Sequence, residues 1–341
     1  MRQNILKSIF KLKTPAYLIP IFFIGGVCMS IIFISNLNSE KSNLNRPAPT
    51  FTNLPVAYHS ARIGGYNYIE PLLYIEEINE APDLILLKNK MREYIEENVS
   101  KGLISKASVY LRVFGKGWMS INDSENFNIS SLIKIPILII YLRMSEMDPS
   151  LLNKRFEVSK NIKALYIQTD SNAGQEVNNT YTFKELLYNM MVNNDQTAFT
   201  ILKENIDKDL FEKLFTDLNN NLLIEEQKDL LISAREYSKF LKILYNATYL
   251  NKDNSEYALR LLSNPGNECA FLKGLPSKTD MSCLQSIRKN ENNIELSETG
   301  IIYLDSGPCL LTVMTSGKNQ KNLSKLVSNI SRMTYDRIIH P

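Results

Sequence analysis

Histidine is almost missing from this chain. Its 341 residues include only two, His59 and His340, and neither position suits a general base. That sets aside a Ser-His-Asp triad. The four cysteines, Cys28, Cys269, Cys283 and Cys309, form no close set with those histidines. A zinc site is therefore not expected, and no other cofactor is implied. An excess of one charge is also lacking, since the formal net charge is +3. Arg2, Lys7, Lys11 and Lys13 precede every acidic residue, and without those four the 39 basic residues fall to 35 against 36 acidic ones. The remainder is near neutral, which argues against a nucleic-acid surface. No internal repeat or low-complexity tract is present. The composition is that of a globular protein, long enough for one large domain or two small ones.

Residues 1–36 contain no Asp or Glu. Residues 1–16 form a basic tail, and 17–35 are almost entirely apolar. A run of that length spans about one bilayer core as a helix. The basic flank should stay cytoplasmic, which places the rest outside. A cleaved signal peptide is the rival reading. No small-x-small cleavage site follows the run, so an uncleaved anchor is expected. Residues 36–59, with Asn45-Arg-Pro-Ala-Pro-Thr, suit a polar linker. Residues 60–341 should then be the folded domain.

Ala81 to Val99 has helical spacing, with Leu84, Leu87, Met91, Tyr94 and Ile95 on one face. Ser108 to Phe114 alternates, Gly115-Lys-Gly117 turns, and Trp118 to Asn122 follows, which is a hairpin signature. The middle, about 130–262, reads as helical. Thr182-x-x-Glu185 and Ser233-x-x-Glu236 are capping boxes that open helices there. Late strands are expected at Met281 to Arg288, Ile301 to Leu304 and Cys309 to Thr315. A last helix carries Leu323, Leu326, Val327, Ile330 and Met333 on one side. A helical block inserted between two strand groups predicts an α+β fold in three αβα layers. Its sheet would be mixed, mostly antiparallel and built from both chain ends, with an all-helical lobe beside it.

Asn128 to Met144 is the chemically telling stretch. It reads as the start of a buried helix capped by Ser130, apolar nearly all round. Yet Lys134 sits in its first turn, and a buried ammonium is costly. Ser131 lies three residues earlier, on the same helical face. A poorly solvated lysine loses proton affinity and can activate a neighbouring hydroxyl as a nucleophile.

This order, with Ser131-x-x-Lys134 on the first helix after the opening hairpin, resembles the class A β-lactamase and penicillin-binding-protein superfamily. The resemblance covers residues 60–339 and is closest to membrane-anchored β-lactamase-like proteins of bacteria. It is carried by Arg62-Ile-Gly-Gly-Tyr with Glu70-Pro-Leu-Leu, Ser108-Val-Tyr-Leu-Arg, Ser130-Ser-Leu-Ile-Lys-Ile-Pro, and Gly300-Ile-Ile-Tyr with Val313-Met-Thr-Ser-Gly. It implies Ser131 as an acylated nucleophile, Lys134 as its proton partner, and a β-lactam or peptidoglycan peptide as ligand. It also implies an oxyanion hole made of the Ser131 N–H and an N–H on the edge strand. The family tolerates a proline at Pro136, although an internal proline removes a helical hydrogen bond.

The other motifs depart from the family. Asn193-Asn-Asp-Gln196 stands where Ser-Asp-Asn is expected, so Asn194 and Gln196 are the substrate-binding candidates. A plain polar turn between helices is the competing reading. Lys278-Thr-Asp280 resembles Lys-Thr-Gly but follows Gly274 too closely. The favoured register puts the motif strand at 281–288, with Leu284 in place of the lysine and Ser286 in place of the glycine. No Glu-x-x-Leu-Asn supplies a deacylating glutamate, and Glu225 or Glu226 is a weak substitute. The expectation is a serine acyl-transfer enzyme with weak turnover. A catalytically inactive relative that binds cell wall or a partner is the alternative. The pairing of Cys269, Cys283 and Cys309 is left open.

Overall fold

The computed structural model describes residues 58–157, 180–220, 223–224, 230–264 and 269–340. All of them belong to one compact unit, Val56–Pro341. The basic tail, the apolar 17–35 run and almost all of the linker lie outside the described residues. No described helix is long and apolar enough to cross a membrane.

A hairpin of β1 (Tyr58–Arg62) and β2 (Leu72–Glu77) opens the domain. A 3-10 turn at Pro82–Leu84 leads into α1 (Ile85–Ser100). Proline costs nothing at the start of a helix, where its missing N–H has no partner anyway. Leu84, Leu87, Met91 and Ile95 are buried, so the helical period seen in the sequence is the one that packs. Next come β3 (Lys106–Val113) and β4 (Gly117–Ile121), the predicted hairpin, with Val109 opposite Ile121.

Short β5 (Asn126–Asn128) brings the chain to a 3-10 turn at Ser130–Ile133 and then to α2 (Lys134–Met147). The lobe continues through β6 (Arg155–Glu157), β7 (Thr180–Thr182), α3 (Phe183–Met191), α4 (Gln196–Glu204) and α5 (Lys208–Asp217). Then follow β8 (Leu223–Ile224), β9 (Leu230–Ser233), α6 (Ala234–Tyr245) and α7 (Lys252–Leu262). Both predicted capping boxes form, at the starts of α3 and α6. Each satisfies donors that the first helical turn would otherwise leave bare.

The chain returns to the sheet through β10 (Asp280–Lys289), β11 (Ile294–Tyr303) and β12 (Cys309–Gly317), and ends in α8 (Gln320–Ile339). The sheet order is β10-β11-β12-β3-β4, so both chain ends build it, as expected. All four pairings are antiparallel, and the parallel component that a mixed sheet allows does not occur here. Strand side chains alternate between faces. Val109, Leu111, Leu296 and Val313 pack under α1 and α8. Tyr110, Leu284, Ile301 and Met314 pack against the helical lobe. The result is three layers with two cores, and β10 forms the exposed edge beside the Ser130–Ile133 turn.

Cysteine pairing, open from sequence, is resolved: Cys269 bridges Cys283, and Cys309 stays a buried thiol. Burial pushes that thiol up to about 12. The bridge closes a sequence separation of 14 residues. A loop of that size is held together with about 3 kcal/mol. Reduction is therefore expected to shift the urea unfolding midpoint by a corresponding amount. An unchanged midpoint on reduction would contradict this.

Candidate active site

The Ser130–Ile133 segment begins as a 3-10 turn rather than an α-helix, and this decides where Ser131 sits. In a 3-10 turn, side chains three apart eclipse one another. Ser131 and Lys134 are three apart, so they share one side. Ser130 does not cap the turn, contrary to expectation, and no side-chain cap is present. Ser130 instead takes φ +41°. A non-glycine residue is held in that left-handed region only by its surroundings. Here its N–H donates to Asn128 Oδ1 at 2.8 Å.

Pro136 also costs less than the sequence suggests. It lies in the first turn of α2, where N–H groups have no intrahelical partner. The carbonyl four residues before it, Leu132 O, accepts the Tyr237 hydroxyl at 2.6 Å. Tyr237 is fully buried on α6 and was not visible as a site residue in the sequence. It pins the turn that carries Ser131.

Lys134 is 2% exposed. Burial lowers its amine to about 8, and Asp195 opposes that shift. Nζ donates to Asn194 Oδ1 at 2.5 Å. Among the described residues, Ser131 Oγ has no hydrogen-bond partner, so the amine rests on Asn194 rather than on the serine. Asn194 adopts φ +52° in the turn between α3 and α4. Asparagine tolerates that conformation better than most residues. Asp195 then caps α4 by accepting from the N–H groups of Thr197 and Ala198. The segment is thus a tight turn between helices that also delivers an amide to the lysine. Gln196, by contrast, is exposed on the first turn of α4, and its side chain bonds none of the others.

The third motif is decided by register. Lys278 and Thr279 precede β10, and Asp280 starts that strand opposite Tyr303. It is Ser286 that reaches the turn: the Ser131 N–H donates to Ser286 Oγ at 3.1 Å. Strand β10 therefore covers the stretch 281–288 expected from sequence, and Leu284 is buried among lobe residues. Ser286 is 4% exposed. Its neighbour Gln285 faces the opposite layer and donates to Glu298. Glu298 also accepts from Ala270 N at 2.6 Å and Phe271 N at 2.9 Å. Burial pushes its carboxyl up to about 7 against those three donors. With the disulfide at Cys283, this bracing holds the back of β10. Glu225 and Glu226 lie outside the described residues.

A model of the Beta-lactamase enzyme family matches residues 87–338. Solved structures share the fold at low identity. A mutant of PBP-A, described as an acyl-enzyme complex with penicillin G, aligns with a TM-score of 0.63 at 15% identity, covering 76% of this chain and 98% of that one. A β-lactamase from Sphaerobacter thermophilus gives 0.62 at 14% identity, covering 73% and 97%. A class A β-lactamase representative from Bacteroides cellulosilyticus gives 0.61 at 17% identity, covering 74% and 98%. Among curated protein sequences none matches.

Proposed function

Because this chain belongs to the β-lactamase enzyme family, we propose that its domain forms an acyl-enzyme at Ser131 with a β-lactam or a D-alanyl peptide. The observation that carries this is a buried lysine, lowered to about 8, one eclipsed turn from the serine. In the proposed step the Lys134 amine leaves Asn194 and accepts the Ser131 hydroxyl proton. The Oγ–C bond forms as the carbonyl electron pair moves onto oxygen. The Ser131 N–H and an outward N–H of β10 hold that oxyanion. On collapse the C–N bond breaks and the Lys134 ammonium returns the proton to the leaving nitrogen. Asn194 can donate a hydrogen bond there but cannot relay a proton as a hydroxyl does.

Turnover is proposed to be slow. Leu284 offers no charge to a substrate carboxylate, and losing one electrostatic contact of this kind costs roughly 10²–10³ in rate. The same leucine supports the second reading, a domain that keeps the fold but binds cell wall or a partner without chemistry. The domain is further proposed to sit outside a bacterial cell membrane, tethered by residues 17–35. The apolar run, its basic flank and the Cys269–Cys283 bridge support that placement.

Incubation with a fluorescent penicillin followed by a denaturing gel tests the proposal. A covalent band is expected, absent from Ser131→Ala. No band after prolonged exposure at high probe concentration would favour the second reading. The pH profile is a finer test. The base form of Lys134 grows as pH rises through about 8, so about a tenth is neutral at pH 7. Acylation should therefore climb roughly tenfold from pH 7 and flatten above pH 9. A flat profile would remove Lys134 from the proton transfer.

A further inference from the structure

We infer that Ser286 governs how fast Ser131 can be acylated, because its hydroxyl already fills the place that a substrate's carbonyl oxygen must take. This rests on acyl transfer at Ser131 as proposed above. An oxyanion needs donors within about 2.7–3.1 Å of where it develops. One of those donors is the Ser131 N–H, and it is spoken for: it bonds Ser286 Oγ at 3.1 Å. The neighbouring amides of the turn are engaged as well, Ser130 N with Asn128 Oδ1 and Leu132 N with Ile129 O. Neither of those two amides can stand in for it.

The position follows from strand geometry. Ser286 shares a face with Leu284, two residues away, and that face looks into the lobe. Its Cα lies opposite Ser297 in the sheet, so β10 cannot slip to carry it elsewhere without breaking a ten-residue pairing. The braces behind β10, the Cys269–Cys283 bridge and the Gln285–Glu298–Ala270 chain, hold that register. A glycine at 286 would leave the donor bare. A serine puts an acceptor oxygen on it. Acylation must therefore begin with rotation of the Ser286 side chain, after which the ligand's carbonyl oxygen takes the Ser131 N–H and the Oγ–C bond can form.

Ser286→Gly, Ser286→Ala and the unaltered protein should be compared with the fluorescent penicillin, with Ser131→Ala as blank. Ser286→Gly is expected to raise the acylation rate constant at least about tenfold, up to the ~10²–10³ that one oxyanion donor contributes. Non-covalent affinity should stay within about twofold, since the donor acts on the transition state. Ser286→Ala keeps bulk without the oxygen and should fall between the two. Amide hydrogen exchange on the unaltered protein gives a readout that needs no variant: the Ser131 N–H should be protected. In Ser286→Gly or Ser286→Ala that protection should fall. If the unaltered protein is labelled and neither variant is faster, the inference is wrong and the acyl-enzyme proposal stands. If no variant and not the unaltered protein is labelled, the proposal itself fails and the inference falls with it. An unprotected Ser131 amide in the unaltered protein would also overturn it.

Discussion

Replacing Lys134 by methionine is expected to slow acylation of Ser131 by about 10²–10⁴-fold, the range general-base catalysis supplies. The fold should survive. The lysine is buried, and its hydrogen-bond acceptor, Asn194, is exposed and can turn to water. Methionine fills a similar volume and adapts to irregular gaps. Lys134→Arg should be as slow as Lys134→Met, because a guanidinium stays charged and cannot accept the serine proton. That result separates proton transfer from simple attraction of an anionic ligand, which arginine would preserve. Label incorporation over time, with thermal melts of each variant, provides the measurement. An arginine variant that acylates at the original rate would show that the amine acts only as a charge.

Replacing Glu76 by alanine is expected to destabilise the domain by about 3–5 kcal/mol, the usual cost of stranding a buried charge. Glu76 lies in β2, yet its carboxylate gathers partners from two other elements, β3 and α6. It accepts the Tyr110 hydroxyl at 2.6 Å, Lys242 Nζ at 3.1 Å and Arg235 Nη2 at 3.1 Å. Arg235 in turn lies 4.0 Å over the Trp118 ring. Burial pushes the Glu76 carboxyl up, but Lys242, the Tyr110 hydroxyl and Arg235 together bring it down to about 2. Lys242 is held down to about 8, since its own burial, helped by the Arg112 charge, outweighs the pull of Glu76 and Glu77. Removing Glu76 takes from that lysine, 2% exposed, its hydrogen-bonded counter-charge and leaves only the weaker pull of Glu77. Against a total stability of about 5–15 kcal/mol, the loss would be large and visible in a urea titration. The sign with pH follows. A depressed acid contributes stability above its unfolded value of 4.5, and that contribution drains away as pH falls toward 2. A shift under 1 kcal/mol in Glu76→Ala would mean the cluster is solvated.

How much of this was legible in the sequence depends on how far apart the partners lie. The α1 stripe, the β3–β4 hairpin and both capping boxes need only neighbours a few residues away, and each formed as read. That Ser131 and Lys134 share one side of the turn was legible for the same reason. Ser130 was misread as a cap because the pattern cannot tell a 3-10 turn with a left-handed residue from an ordinary helix start. The third motif had two registers in sequence, since Lys278-Thr-Asp280 imitates one. Only cross-strand pairing, Ser286 opposite Ser297 and Asp280 opposite Tyr303, separates them. The Glu76 cluster was invisible, because Glu76 and Lys242 are 166 residues apart and each looks like an ordinary surface charge. The Tyr237 bond to Leu132 O, across 105 residues, was hidden in the same way.

Peptide mapping by mass spectrometry after exposure to penicillin asks most directly whether this serine is a nucleophile. The expected result is an intact penicilloyl adduct on the peptide that contains Ser131, stable for long enough to isolate and accumulating about 10²–10⁴-fold more slowly when Lys134 is methionine. An adduct on another residue, or none on a folded domain in which Ser286 has been changed to glycine, would contradict it.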